Sequence, residues 1–228
     1  MALARSGAAW HYRAVRTPVV DAFRPIVWLG ARLYFRIRFE GVQHIPPSGP
    51  LLVVPNHVTY ADPVLASIPI RRAVHYMAWN ALFRVPGLSW LIRRLRAFPV
   101  DIEAADAGAA RTAVRLLNAG EVVMIFPEAG RSQDGRVQRF RAGAFRMACS
   151  LGVPVMPVTI VGGHECWPPG RRLPRPGRLK IVYHPVVAPP SDLDVKEAAR
   201  DLARRVHAVV ASGLPEHQRP DAARDAAV

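Results

Sequence analysis

The stretch that decides the fold is residues 51–68, LLVVPNHVTYADPVLASI. Leu51 to Val54 is a continuous apolar run, which is typical of a strand buried on both faces of a parallel sheet. The polar segment Asn56 to Asp62 then reads as a loop. Pro63 to Ile68 suits a helix, with Asp62 at its N-cap and Pro63 at the first helical position. The order strand, polar loop, helix predicts an α/β unit whose loop carries the polar side chains.

Further strands and helices alternate outward from this stretch. The pattern predicts other strands at 36–43, 73–77, 98–102, 122–126, 153–161 and 179–183, and other helices at 88–95, 104–118, 140–150 and 191–212. The alternation predicts an α/β fold, a single domain over residues 41–212 with a central, mostly parallel sheet flanked by helices. Residues 213–228 are polar, and we expect them to form a flexible tail.

The segment before the domain, residues 1–40, has the pattern of a basic amphipathic helix. Its apolar residues between Val19 and Tyr34 recur at spacings of three and four, and arginines and tryptophans accompany them. Such a helix can lie in a membrane surface or pack on the protein's own core, and the segment alone leaves both open. We detect no signal peptide and no apolar run long enough to span a bilayer.

Composition narrows the class of protein. The 228 residues carry a formal net charge of +14, and all but two of the 31 basic residues are arginine. Anionic lipid, an anionic cofactor and nucleic acid are all compatible with this charge. Helix-turn-helix, zinc-finger and RNP patterns are absent, so we expect no nucleic-acid partner. The two cysteines, Cys149 and Cys166, exclude a disulfide framework and a CxxC zinc module, and we expect no bound metal.

His57 and Asp62 are the first candidates for chemistry. Five residues apart on a helix they would point in different directions, but the loop before Pro63 can fold one onto the other. A carboxylate on one imidazole nitrogen leaves the second nitrogen to act as a general base toward a hydroxyl. The alternative is that Asp62 is only a helix cap and His57 only a polar loop residue.

The second group of candidates follows the strand 122–126, in the run Phe126-Pro-Glu-Ala-Gly-Arg-Ser132. Ligands bind α/β proteins at the carboxyl ends of such strands, and there Glu128 can hold a hydroxyl and Arg131 a phosphate. An ion pair between the two with a purely structural role is the alternative. A third run, Val153-Pro-Val-Met-Pro-Val158, contains no side chain that could act in catalysis. Its prolines favour an edge strand or a pocket wall.

Taken in order, four motifs resemble those of the glycerolipid acyltransferase family, and most closely its 1-acylglycerol-3-phosphate acyltransferase type. The motifs are Asn56-His57-x4-Asp62, Ala97-Phe98-Pro-Val-Asp101, Phe126-Pro-Glu-Ala-Gly-Arg131-Ser132 and Val153-Pro-Val-Met-Pro157. The resemblance implies transfer of a fatty acyl group from acyl-CoA or acyl-carrier protein to a lysophospholipid hydroxyl, without a bound cofactor. The absence of a Gly-x-Ser-x-Gly elbow also predicts that no covalent acyl-enzyme forms.

The resemblance assigns roles residue by residue. His57 would be the general base and Asp62 its orienting partner, while Glu128, Gly130 and Arg131 would bind the glycerol-phosphate part of the acceptor. The pocket wall would be formed by Val153, Pro154 and Pro157. Asn56 and Arg96 are further possible contacts to phosphate or donor.

Two departures from the family pattern concern the acceptor. Ile102 stands where the family has an arginine implicated in phosphate binding, and Arg96 or Arg94 could take its place. Glu-Ala-Gly-Arg replaces the usual Glu-Gly-Thr-Arg at residues 128–131. Another lysophospholipid or polar-lipid acceptor, and a catalytically inactive lipid-binding relative, therefore remain alternatives to lysophosphatidic acid.

The resemblance also implies a membrane enzyme whose N-terminal helices lie in the bilayer surface. We accordingly expect a peripheral or monotopic protein at the cytoplasmic face of the cell membrane, held in part by arginines that meet an anionic membrane surface.

Overall fold

A computed structural model describes residues 18–101 and 106–220. The helices are α1 (Pro18–Tyr34), α2 (Asp62–Leu65), α3 (Leu88–Arg94), α4 (Ala107–Asn118), α5 (Gly143–Leu151), α6 (Gly163–Cys166) and α7 (Val195–Ser212). The strands are β1 (Arg38–Glu40), β2 (Leu51–Pro55), β3 (Val74–Trp79), β4 (Ala97–Val100), β5 (Val122–Met124), β6 (Val155–Val161) and β7 (Lys180–Tyr183). Short 3-10 turns occur at Val42–His44, Asn80–Arg84 and Glu216–Gln218.

The seven strands form one sheet in the order β1-β7-β6-β2-β5-β3-β4. Every neighbouring pair is parallel except β6 and β7. Helices cover both faces, so the predicted α/β fold with a mostly parallel sheet is confirmed. The sheet starts at Arg38, three residues before the predicted domain boundary at residue 41.

Strand β2 lies in the middle of the sheet, as its apolar run predicts. All five of its residues are buried, and it pairs with β5 on one side and β6 on the other. Leu51 and Val53 join the core on the α1 face, whereas Leu52 and Val54 join the core under α4, α5 and α7. Because these strands are parallel, the carboxyl ends of β2, β3, β4 and β5 lie together, and we call this side of the sheet the carboxyl edge. The opposite side, where the strands begin, is the amino edge. The polar loops after β2 and β5 meet at the carboxyl edge.

Strand β6 is not an edge strand of the sheet. The prediction that its two prolines favour an edge strand is therefore wrong. Strand β6 lies between β7 and β2. Its pairing with β7 starts only at Val158, so Pro157 removes no donor from that ladder. The carbonyl of Pro157 instead accepts a hydrogen bond of 3.1 Å from the backbone N–H of His184.

Helix α1 leaves much of its apolar face in solvent. Ile26 and Leu33 are 64% and 73% exposed, and Trp28 and Leu29 are also exposed. Among residues 24–34, the part of α1 whose side chains are described, Ala31 is the buried residue that joins the core. Of the predicted N-terminal helices, residues 1–17 lie outside the described residues. Within the described part of the chain, no helix combines the length and hydropathy needed to cross a bilayer.

The start of the expected flexible tail is packed, which corrects that prediction. Leu214 and Gln218 are 2% and 4% exposed. The carbonyl of Gln218 accepts a hydrogen bond from the backbone N–H of Val137, and its side chain donates one to Glu165. Residues 221–228 lie outside the described residues.

Candidate active site

The loop after β2 brings His57 and Asp62 into direct contact, as predicted. Nδ1 of His57 lies 2.9 Å from Oδ2 of Asp62. The imidazole stacks on Phe126 with ring centroids 4.0 Å apart. Asp62 is buried, whereas the histidine side chain retains 18% of its exposure. This arrangement orients the ring so that Nε2 is the nitrogen available to a substrate.

Asp62 organises its loop and does not cap helix α2, so the N-cap prediction is wrong. The residue at the cap position is Ala61, and Asp62 is the first residue of the helix. Its carboxylate points back along the chain and accepts hydrogen bonds of 2.7 Å from the backbone N–H groups of Val58 and Thr59. The hydroxyl of Thr59 donates to its second oxygen. The carboxylate therefore holds both the loop and the histidine.

Glu128 lies against the backbone of the loop after β2 and does not face the cavity beside His57. This position is contrary to the prediction that it binds the acceptor. Its two oxygens accept hydrogen bonds from the backbone N–H groups of His57, at 2.7 Å, and Gln138, at 2.8 Å. The residue is 8% exposed. Burial raises its pKa to about 8, against the opposing effect of the two backbone donors. Glu128 thus joins the loop after β2 to the segment that precedes α5.

The side chain of Asn56 is likewise used in hydrogen bonds within the fold. Its side-chain amide donates to the carbonyl of Ile160 and accepts from the N–H of the same residue, at 3.0 and 2.7 Å. It is 1% exposed. Asn56 therefore joins the end of β2 to β6, and the prediction that it contacts phosphate or donor is corrected.

A cavity of about 640 Å³ opens beside His57. This volume lies within the usual range of ligand pockets. Its wall is largely apolar, with side chains from β3, β4, α4 and α5 and from the segment after β5, including Met77, Val100, Ile125, Ala110 and Met147. Its polar lining includes His57, Asp101, Asp106, Arg131 and Arg141. The combination suits an amphiphile with an apolar chain and an anionic head.

Arg131 and Gly130 line this cavity, and their binding of the acceptor stays a prediction. The guanidinium of Arg131 lies 3.5 Å from the ring centroid of Tyr60, in a cation–π stack. Among the described residues, its buried Nη1 has no hydrogen-bond partner. The left-handed turn falls on the neighbouring Ala129, with φ +58°, and not on Gly130.

Arg96 lies outside the cavity, so its predicted role as a phosphate or donor contact is corrected. It precedes β4 and is therefore at the amino edge of the parallel strands, where it lines a separate cavity of about 80 Å³ with Arg24 and Tyr76. The pocket-wall prediction also needs correction. Val153, Pro154 and Pro157 are not among the residues that line the cavity beside His57. Ile102 lies outside the described residues.

Arg141, Thr59 and Tyr60 were not among the residues predicted from the sequence. No spacing in the sequence distinguishes Arg141 from the other arginines. It lies at the cavity just before α5, where its backbone N–H donates to the carbonyl of Pro127. Thr59 and Tyr60 do carry a signal, since they stand between the candidate base and its carboxylate.

Comparisons with known proteins identify relatives. The sequence model of the acyltransferase family matches residues 36–161. The chain is 25% identical over 190 residues to the chloroplast 1-acyl-sn-glycerol-3-phosphate acyltransferase BAT2 of Brassica napus, covering 80% of this chain and 55% of that protein. It is 28% identical over 148 residues to the 1-acyl-sn-glycerol-3-phosphate acyltransferase of Bacillus subtilis, covering 64% and 71% of the two chains.

The solved structure of the 1-acyl-sn-glycerophosphate acyltransferase PlsC from Thermotoga maritima has a similar fold. The TM-score is 0.72 at 29% sequence identity, with 86% of this chain and 77% of that chain covered. The chain spans about half the length of the chloroplast relatives that it matches. These findings confirm the resemblance that the motifs indicated.

Proposed function

The chain belongs to the acyltransferase family, and on this premise we propose that it transfers a fatty acyl group from an acyl thioester to a hydroxyl of a lysophospholipid. The favoured acceptor is 1-acylglycerol-3-phosphate, which gives phosphatidic acid. One observation carries the proposal: a single cavity combines the His57–Asp62 pair, two arginines and an apolar wall.

The reaction is a direct displacement in this proposal. Nε2 of His57 accepts the proton of the acceptor hydroxyl, whose oxygen attacks the thioester carbonyl carbon. The carbon–sulfur bond breaks, and the thiolate leaves and takes the proton back from the imidazolium. Asp62 stabilises the imidazolium through Nδ1, and no covalent acyl-enzyme is formed.

The arginines in the cavity are proposed to hold the acceptor phosphate. The stack on Tyr60 occupies the face of the Arg131 guanidinium and leaves its edge for charge-assisted hydrogen bonds. Arg141 supplies the second cation, in the role that the family pattern gives to the position of Ile102. Glu128 is a positioning residue that holds the backbone of His57. The apolar wall receives an acyl chain.

We further propose that the protein acts at the cytoplasmic face of the cell membrane, where α1 lies in the surface. The exposure of Ile26 and Leu33 supports the membrane interpretation of the N-terminal segment over packing on the protein's own core. Either acyl-CoA or acyl-carrier protein can serve as the donor.

The first test is acyl transfer by the purified protein in mixed micelles. Labelled palmitoyl-CoA is the donor, and lysophosphatidic acid, other lysophospholipids and a neutral monoacylglycerol are the acceptors. We expect product with lysophosphatidic acid and a loss of about 10²–10⁴-fold in kcat for His57→Ala. Full activity of His57→Ala would overturn the assignment. If neither palmitoyl-CoA nor palmitoyl-acyl-carrier protein supports turnover while lipid is bound, the inactive relative is favoured instead.

The phosphate proposal has its own variants. A hydrogen bond to a charged group contributes about 1.5–3 kcal/mol, so Arg131→Gln and Arg141→Gln should each weaken kcat/KM for lysophosphatidic acid by about 10- to 100-fold. The neutral monoacylglycerol should be affected much less. Arg146→Gln is the matched control, because Arg146 is exposed on α5 and does not line the cavity. Equal losses for both acceptors would mean that the arginines are structural.

A further inference from the structure

A second group of apolar side chains is exposed on and around α3, far along the chain from α1. It consists of Trp79, Val85, Leu88, Trp90 and Leu91, which we call the α3 surface together with Arg84, Arg93 and Arg94. Trp90 is 60% exposed, Val85 50% and Leu91 46%. Five large apolar side chains are thus exposed within residues 79–91, whereas exposed apolar side chains that need no explanation are scattered singly.

The charge of the α3 surface has one sign. Arg84, Arg93 and Arg94 are exposed, and no aspartate or glutamate occurs between residues 63 and 100. The guanidinium of Arg94 lies 5.1 Å from the ring centroid of Trp90, and that of Arg93 lies 5.0 Å from Phe83. The described segment that contributes this surface, residues 79–94, therefore combines tryptophan, aliphatic side chains and arginine and contains no carboxylate.

The α3 surface borders the cavity beside His57, and the end of α3 lies near α1. Trp79 belongs to the surface and, with Leu82, also lines the cavity beside His57. At the other end, Leu95 shares the small cavity at the amino edge with Val27 of α1. Helix α1 and the residue that follows α3 thus border the same small cavity.

We propose that the α3 surface is a second membrane contact, which lies in the headgroup region of an anionic phospholipid bilayer beside α1. Tryptophan is the side chain best suited to that region, and arginine complements anionic headgroups. A second copy of the chain is a poorer occupant, because a symmetric contact would bring like charges together. The inference rests on the proposed function, since the shared wall at Trp79 lets a lipid pass from the bilayer into the cavity.

Vesicle partition tests the proposal without using activity. Trp90→Gln/Leu91→Gln should weaken partition onto phosphatidylcholine vesicles that contain phosphatidylglycerol by about ten-fold or more, because apolar area no longer leaves water. Arg93→Gln/Arg94→Gln should weaken it by about 30-fold, at about 1 kcal/mol for each arginine. The second effect should vanish at high salt and on pure phosphatidylcholine vesicles.

Helix α7 provides matched controls on the other face of the sheet. Leu193→Gln/Val195→Gln removes two apolar side chains that are 42% and 47% exposed. Arg204→Gln/Arg205→Gln removes the same charge as the α3 pair. Both controls should partition like wild type to within about two-fold. If the α3 variants remain within two-fold of wild type, or if the controls lose as much, the proposal is wrong.

A second readout does not depend on partition of multiply substituted protein. Bromine-labelled lipid should quench the tryptophan emission of wild type, and Trp90→Phe should lower the quenched amplitude more than Trp167→Phe does. Equal amplitudes would overturn the proposal. Turnover of a short-chain, water-soluble lysophosphatidic acid should be normal in Trp90→Gln/Leu91→Gln and lost in His57→Ala. Failure of the enzyme assignment is therefore distinct from failure of the membrane contact.

Discussion

At the residue scale, one carboxylate determines the geometry of the candidate base. Asp62 accepts hydrogen bonds from two backbone N–H groups and from the hydroxyl of Thr59, and it contacts Nδ1 of His57. The loop and the imidazole are consequently oriented by the same side chain. A substitution here should affect stability and activity together.

Asp62→Asn keeps the size of the side chain but replaces one acceptor oxygen with a donor. We expect kcat to fall by about 10²–10⁴-fold, because the imidazolium loses its partner and the tautomer is no longer held. The free energy of unfolding should fall by about 1–3 kcal/mol, since a buried donor loses its acceptor. Steady-state kinetics and urea unfolding measure the two effects.

Asp194→Ala is the control for Asp62→Asn. Asp194 caps α7 by accepting from the N–H groups of Lys196 and Glu197, and it lies away from the cavity. Its loss should cost about 1 kcal/mol of stability and leave kcat unchanged. If Asp62→Asn lowered stability but kept full specific activity, the orienting role of Asp62 would be refuted.

Glu128 predicts a pH dependence of stability. Its pKa is about 8 in the folded protein, against an ordinary value of 4.5, because burial disfavours the charged form. Its contribution to stability is therefore complete below about pH 4.5 and is lost as the pH rises to about 8. The free energy of unfolding of wild type should decrease over this window.

Glu128→Gln should flatten that decrease, because the amide does not titrate. The variant should also be less stable than wild type at acid pH, since its NH2 group would face a backbone N–H. Urea unfolding at a series of pH values measures both effects. An unchanged slope between pH 4.5 and 8 would show that Glu128 is not the titrating group.

At the element scale, the connection from β5 toward α5 contains a strained residue. Ala129 has φ +58°, in the left-handed region that disfavours a side chain with a Cβ. The family pattern has glycine at this position, and here the glycine stands one residue later. Ala129 therefore adopts a backbone conformation that alanine disfavours.

Ala129→Gly should stabilise the protein by up to about 1 kcal/mol. The substitution relieves about 1–2 kcal/mol of strain and adds about 0.4–1 kcal/mol of chain entropy to the unfolded state. Ala208→Gly is the matched control, because Ala208 is an exposed residue in the interior of helix α7 and should only lose stability. Thermal unfolding that changes in the same direction for both variants would contradict this account of the turn.

At the scale of the whole molecule, the two edges of the sheet have different roles. The carboxyl edge carries the cavity, and the amino edge is held by Arg72, which is 7% exposed. Its guanidinium donates to the carbonyls of Pro46, Gly49 and Gly120. These carbonyls belong to the segments that lead into β2 and β5, so one arginine secures the two strands that end at the site.

Arg72→Met should lower the free energy of unfolding by about 3 kcal/mol or more, because several buried carbonyls lose a charged donor. The kcat of the folded fraction should not change, since Arg72 lies at the opposite edge from the cavity. Arg71→Met, at the exposed neighbouring position, should stay within about 0.5 kcal/mol of wild type. Similar unfolding midpoints for the two variants would refute the clamp.

The class of fold and the contact between His57 and Asp62 were predictable from the sequence. The apolar run 51–54 predicted a buried parallel strand, and proline after Asp62 predicted a loop that folds onto His57. Both are local effects, because hydrophobic period and backbone restriction act within a few residues.

Only the tertiary structure decided what each polar side chain faces. Glu128 accepts a hydrogen bond from the backbone of His57, which is 71 residues away along the chain. Arg141 lines the cavity beside His57, whereas Arg96 lines the small cavity at the amino ends of the strands. Trp90 and Leu33 follow apolar patterns that also fit a core, yet both are exposed. The physical reason is that strand order and helix packing are set by contacts between distant segments. Spacing along the chain carries no information about which of those contacts a side chain meets.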